Sequence, residues 1–298
     1  MTEAFHAPGL TADWLNAWLA AIGITALLPE VTLRWTDDPL PVAVFDAAEE
    51  TPLAERIWVA IPDEAQLRML AITRTLEGYP EFPRKVDANA FHARAVLARA
   101  TRDFSLAASV TDLKAEFKPE EGLPHAPFDP PAPKGVTLWE RVVSCRKALD
   151  EAGSASVEET LVGQARRVPI NGLGFDAHRL VAGVQPASMS VDPVVESLAF
   201  YGLSLFPMRG DGRDVRQRGW MRGSKGKKSF VWPVWKNPLD RWAIDALIDQ
   251  IPLSLGDRGI AARWGITDWF RSVAYEPKGS LDSKRAYFSQ RFSSDDES

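Results

Sequence analysis

The chain has 298 residues, 45% of them hydrophobic and 25% charged, with a formal net charge of −5, a balance that lets a globular protein build its core without covalent staples. A single cysteine, Cys145, excludes an internal disulfide framework and a cysteine-based zinc site, and points to a reducing compartment, the cytoplasm. The apolar run near the N-terminus is broken by Asp13 and Asn16 and has neither a basic leader nor a small-residue cleavage site, so it reads as neither signal peptide nor membrane anchor.

In chain order, Thr11 is placed to cap a helix whose apolar stripe is Trp14, Leu15, Trp18, Leu19 and Ile22, and Pro29 ends it. Val31 to Trp35 and Pro41 to Phe45, joined by Thr36, Asp37, Asp38 and Pro39, predict a hairpin, with Arg56 to Ile61 as a third strand beside it. Pro62 and Asp63 open a helix to Leu76, and Asp87 opens another through Ala100. Pro119, Pro124, Pro127, Pro130, Pro131 and Pro133 then crowd the stretch from Lys118 to Gly135. That density excludes helix and central strand and predicts an extended connector.

Beyond it, helices are predicted over Leu138 to Leu149 and Val157 to Ala165, followed by a glycine-rich segment from Asn171 to Phe175. Asp192 and Pro193 have the chemistry of an N-cap and first helical residue, for a helix running toward Gly202. Ser229 to Trp235 alternates as a strand, which Pro233 confines to an edge or a bulge. Asn237 and Pro238 open an amphipathic helix with Leu239, Trp242, Ala243, Ala246 and Leu247 on one side. The reading is an α+β protein: an N-terminal helix and β-hairpin module over 1–117, a proline-rich linker over 118–135, a larger mixed C-terminal part over 136–292, and a disordered tail of serine and acidic residues over 293–298.

The segment from Arg209 to Lys228 carries eight Lys or Arg and two Asp, a local charge of +6 inside an acidic chain. Five glycines interrupt it, and such a stretch predicts a mobile loop that meets a polyanion. Arg209, Arg213, Arg216, Arg218, Arg222, Lys225, Lys227 and Lys228 are the candidates for phosphate contact, and arginine forks suit phosphate oxygens. Trp220 lies inside the segment, and Trp232 and Trp235 follow it. Charge beside flat aromatic faces is what a single-stranded nucleic acid needs, although these tryptophans serve equally well as core.

Catalytic motifs are not found. Gly226 and Lys227 are followed by Lys228 and preceded, at the required distance, by Met221, which breaks the phosphate-loop pattern. His6, His92, His125 and His178 have no second ligand at helical spacing, so no metal site is assigned. No cofactor is assigned either. Asp176 and His178, in GLGFDAHRL, form the most enzyme-like pair, with a capped turn as the plainer explanation. Cys145, flanked by Val142, Val143 and Ala148, reads as core.

Several stretches together resemble a known family. GLTADWLNAWLAAIG followed by VTLRWTDDPLPVAVF, then GLGFDAHRL, then DPVVESLAFYGLSLFPMRG leading to RGW and FVWPVWKNPLDRWAIDALI, are similar to proteins of type I-G (formerly I-U) CRISPR–Cas loci. The nearest resemblance is to the family described as an extension of the helicase-nuclease, related to the large-subunit and accessory proteins. It implies a non-catalytic subunit of an RNA-guided antiviral complex, with other CRISPR-associated subunits and the crRNA or target DNA as partners. The acidic total departs from what a principal DNA-gripping subunit carries. A protein-interaction scaffold that docks the basic segment on an acidic neighbour, and a hydrolase using Asp176 and His178, are the alternatives.

Overall fold

The computed structural model describes residues 3–47, 51–64, 85–86, 112–115, 118–122, 138–170, 172–173, 190–206, 209–210, 215–216, 218–222, 228–275 and 287–293. The predicted helices after Asp63 and after Asp87, the remainder of the proline-rich stretch after Gly122, and the tail after Ser293 lie outside these residues.

Strand β1 (Glu3–Thr11) leads into helix α1 (Leu15–Leu27), and β2 (Thr32–Trp35) and β3 (Val42–Ala47) follow as the predicted hairpin. The antiparallel sheet has the order β1-β3-β2, so the third strand is β1. Arg56 to Ile61, expected as that strand, instead falls in helix α2 (Leu53–Ala60) and its C-cap. The β-branched run is locally strand-like, but Leu53, Ile57 and Ile61 recur at helical spacing and all three are buried. The predicted cap of α1 also moves: Thr11 ends β1, and Trp14 precedes the helix without a side-chain cap.

Two short strands, β4 (Lys85–Val86) and β5 (Asp112–Ala115), pair in parallel, and β6 (Lys118–Gly122) joins β5 as an edge, where Pro119 is tolerated. Helices α3 (Leu138–Ala152) and α4 (Ala155–Leu161) come next, then α5 (Pro193–Gly202) and a 3-10 turn over Leu203–Leu205. Asp192 caps α5 as read from the sequence, accepting from the Val194 and Val195 amides at 2.9 and 3.4 Å. Thr160 Oγ1 donates to its second carboxylate oxygen at 2.9 Å.

Burial is the largest influence on Asp192 and raises its pKa above the ordinary aspartate value, against the lowering effect of these hydrogen bonds and of Arg167. A carboxyl that holds its proton more tightly when folded contributes most below the unfolded pKa, and that contribution is lost as pH rises through the folded one. Urea titrations of the wild type and Asp192→Asn should therefore give a stability difference that narrows as pH rises through the carboxylate range. A difference that widens would contradict this environment.

Strands β7 (Arg209–Gly210), β8 (Val215–Arg216), β9 (Trp220–Arg222) and β10 (Lys228–Trp235) occupy the basic segment and its exit. They are followed by helices α6 (Arg241–Asp249), α7 (Ile251–Gly256) and α8 (Arg258–Trp264) and by strands β11 (Ile266–Tyr275) and β12 (Tyr287–Ser293). The larger sheet is antiparallel with the order β12-β11-β10-β9. Strand β9 covers β10 only over Lys228 to Phe230, so β10 is an edge where Pro233 stands, as predicted. With helices packed among mainly antiparallel sheets, the fold is α+β.

The core explains the tryptophan content. Helix α1 is buried all round from Leu15 to Thr25, as a helix without a polar face must be. Trp18 lies 6.0 to 6.5 Å, between ring centroids, from Phe206, Phe230, Trp232 and Trp235. Indole N–H groups of Trp18, Trp232 and Trp235 donate to the carbonyls of Pro233, Ala12 and Leu33 at 3.0, 2.7 and 2.8 Å. Leu33 and Leu239 exchange backbone hydrogen bonds at 2.8 and 3.0 Å. The described residues on both sides of the proline-rich stretch thus share one hydrophobic core.

Helix α6 starts later than Asn237 and Pro238 suggest, because Leu239 is held in that bridge to β2. Asp240 caps it through the Ala243 amide at 2.8 Å. Its buried face is Ile244, Leu247 and Ile248, while Trp242, expected on the apolar side, is exposed.

Candidate functional site

Most of the described residues of the basic segment are β-paired. In β7 and β8, Arg209 is opposite Arg216 and Gly210 is opposite Val215. In β9 and β10, Arg222 is opposite Lys228, Ser229 opposite Met221 and Phe230 opposite Trp220. Glycine-rich composition concealed these two antiparallel ladders. Their connections are 211–214 and 223–227, so Arg213, Lys225 and Lys227 lie outside the described residues.

Arg218 roots the segment on α6. Its Nη2 donates to Asp245 Oδ1 at 2.5 Å and to the Leu205 carbonyl, and its Nη1 donates to the Asp245 carbonyl at 2.9 Å and lies 3.1 Å from Asp249 Oδ1. The side chain is only 8% exposed, so its charge is neutralised within the protein. Trp220 is partly buried with its ring 5.6 Å from Phe230, and Trp232 and Trp235 are interior. Of the three tryptophans associated with the segment, two are core and the third leans on core.

A second polar cluster was not foreseen. Glu196, in the middle of apolar α5, is 1% exposed. Its Oε1 accepts from Asn16 Nδ2 and its Oε2 from the Leu173 amide, both at 2.6 Å. Gly172 has φ +53°, and a Cβ there would come within 2.8 Å of Glu196 Oε2, so only glycine serves this left-handed turn beneath the carboxylate. The guanidinium of Arg141, on α3, reaches the Gly172 carbonyl at 3.4 Å. The sequence signal was a lone carboxylate in VVESLAF, where an apolar helix face demands an explanation for a charge.

A cleft beside Glu196 is lined by Ile61, Pro62, Cys145, Leu173 and Tyr201, among others. It has room for about one water molecule, far less than a small-molecule pocket needs. Cys145 is buried, as its neighbours suggested. Asp176 and His178 lie outside the described residues. Among the described residues no three His, Cys, Asp or Glu side chains gather as a metal-ligand set, and no helix is long and apolar enough to cross a membrane.

No protein-family model matches the chain, and no curated protein or solved structure matches it.

Proposed function

We propose that this chain is a non-catalytic accessory or large-subunit-like component of a type I CRISPR interference complex, and that segment 209–228 contacts nucleic acid. The observation that carries the reading is the register of the two ladders. Arg209 stands opposite Arg216, and Arg222 opposite Lys228; like charges directly opposed across strands are destabilising. A phosphate backbone laid along the ladders offsets that repulsion while releasing counterions.

Arg218 is the anchor, which fixes the segment to α6, and the sequence carries seven further cations between Arg209 and Lys228. Strand pairing fixes the backbone spacing of Arg209, Arg216, Arg222 and Lys228, which lowers the ordering cost of binding. Arg213, Lys225 and Lys227 fall between the paired strands in sequence, so reversing their charge leaves the ladder residues unchanged.

The test is a charge reversal, Arg213→Glu with Lys225→Glu and Lys227→Glu, assayed on single-stranded DNA, duplex DNA and RNA over a salt series. Affinity at low salt is expected to fall by about a hundredfold or more. The log-log salt slope should become shallower by about 2, at roughly 0.7 for each single-strand phosphate that is no longer neutralised. A reversed protein that binds as the wild type does would sink the reading.

A further inference from the structure

Independently of nucleic-acid binding, we infer that the start of α5 carries a clasp, a set of contacts that opens and closes as one unit while the crossing of α1 and α5 stays packed. Its inner arm is Gly172 and Leu173. The Leu173 amide donates to Glu196 Oε2 at 2.6 Å, and Arg141 reaches the Gly172 carbonyl at 3.4 Å. Its outer arm lies just before them in the chain. Val168 and Val191 exchange backbone hydrogen bonds at 2.8 and 2.9 Å, and Arg167 donates to the Ser190 carbonyl through Nε at 3.1 Å and Nη2 at 2.8 Å.

The two arms meet at one point. A Cβ on Gly172 would lie 2.8 Å from Glu196 Oε2 and 2.9 Å from Val191 Cγ1, so the glycine backbone fills the space between them. Asp192 and Glu196 stand at i and i+4 on α5, and each secures a different arm. Glu196 takes the Leu173 amide, while Asp192, next to Val191, is tied to α4 through Thr160 Oγ1 at 2.9 Å. Movement of one arm therefore disturbs the other, which makes release cooperative.

Other features separate the clasp from the core. Residues 162–170 form neither helix nor strand apart from the Val168 bridge, and Arg167 and Ser190 are exposed, so water competes for the bonds of the outer arm. The crossing rests instead on close backbone approach of Gly23 to Leu198 and of Gly202 to Leu19. When Oε2 releases Leu173, Oε1 keeps its hydrogen bond from Asn16 on α1, so the carboxylate has a partner in both states. Leu173 and Glu196 also line the narrow cleft that reaches the buried Cys145. Opening the clasp thus uncovers the only cysteine of the chain. Elements that move on binding are drawn from such units, because releasing them leaves the core intact.

The experiment follows amide hydrogen exchange of the full chain by NMR over a series of low urea concentrations, and the rate at which a thiol reagent labels Cys145. The Val168, Leu173 and Val191 amides should exchange together, with a shallow urea dependence, and faster than the amides of α1 and α5, which wait for global unfolding. Gly172→Ala places a Cβ where the arms meet and strains a backbone at φ +53°. It should speed all three amides and the Cys145 reaction by a common factor of about ten. Val168 responding as strongly as Leu173 is the mark of a single unit. Three amides that share the steep urea dependence of α1 and α5, a Gly172→Ala effect confined to Leu173, or a Cys145 rate that the substitution leaves unchanged overturns the inference. If Gly172→Ala does not fold, the urea series on the wild type decides alone.

Discussion

Replacing Gly23 or Gly202 with alanine is expected to destabilise the fold by about 3 kcal/mol or more, at the upper end of the range for overpacked cores. The two glycines face each other's helices where α1 crosses α5. A Cβ on Gly23 would lie 2.0 Å from the Leu198 carbonyl oxygen, and one on Gly202 would lie 2.2 Å from the Leu19 carbonyl oxygen. Both obstacles are backbone, so no side-chain rotation relieves them and the helices must separate. Both helices are buried along most of their length, and separating them opens voids that cost further packing energy. In an exposed helix the same change would stabilise, because alanine is the better helix former. Urea denaturation of the two variants checks the sign: a gain in stability would mean that the helices do not approach so closely.

This crossing was only partly legible in the sequence. Helix α5 was readable at both ends because its signals are local: the carboxylate and proline of Asp192 and Pro193 start it, and the apolar run continues to Gly202. Helix α6 was misplaced because its start depends on a contact that lies far away in sequence, the bridge between Leu33 and Leu239. Strand β1 was missed since Pro8 and Gly9 interrupt its alternation, and the structure absorbs them in an irregular stretch between Ala7 and Thr11. Tryptophan type alone does not distinguish an exposed ring from a core ring. What separates Trp232 from Trp242 is whether a distant carbonyl, here that of Ala12, accepts the indole N–H.

The basic segment illustrates the same limit for the site. Charge density and composition single the segment out, because both are sums over neighbouring residues. The pairing of Arg209 with Arg216, and of Arg222 with Lys228, depends on register. The register of β9 on β10 is set by the sheet that β10 enters and by the core position of Phe230, neither of which is written in the segment. The anchoring of Arg218 likewise needed α6 in place before its two aspartates could be recognised as partners.

Glu196→Ala is the second change with a large expected effect, about 4 kcal/mol. It removes the acceptor for the Asn16 amide and for the Leu173 amide in a buried site, where each orphaned group costs roughly 1–3 kcal/mol. Glu196→Gln separates geometry from charge. Glutamine keeps the side-chain length, its oxygen can accept from the Leu173 amide, and its NH₂ can donate to Asn16 if the Asn16 amide turns over. That turn also gives a partner to Asn16 Oδ1, a buried oxygen that has none in the wild type. Glutamine should therefore recover more than half of the loss measured for alanine, and the unrecovered part is what the negative charge contributes. Equal losses for both variants would mean that charge, and not hydrogen-bond geometry, governs the site. Because Leu173 precedes Asp176 by three residues, the same carboxylate fixes the backbone just ahead of GLGFDAHRL's only acid and histidine, so Glu196→Ala should also raise amide hydrogen exchange at Leu173 well beyond what the global loss of stability produces.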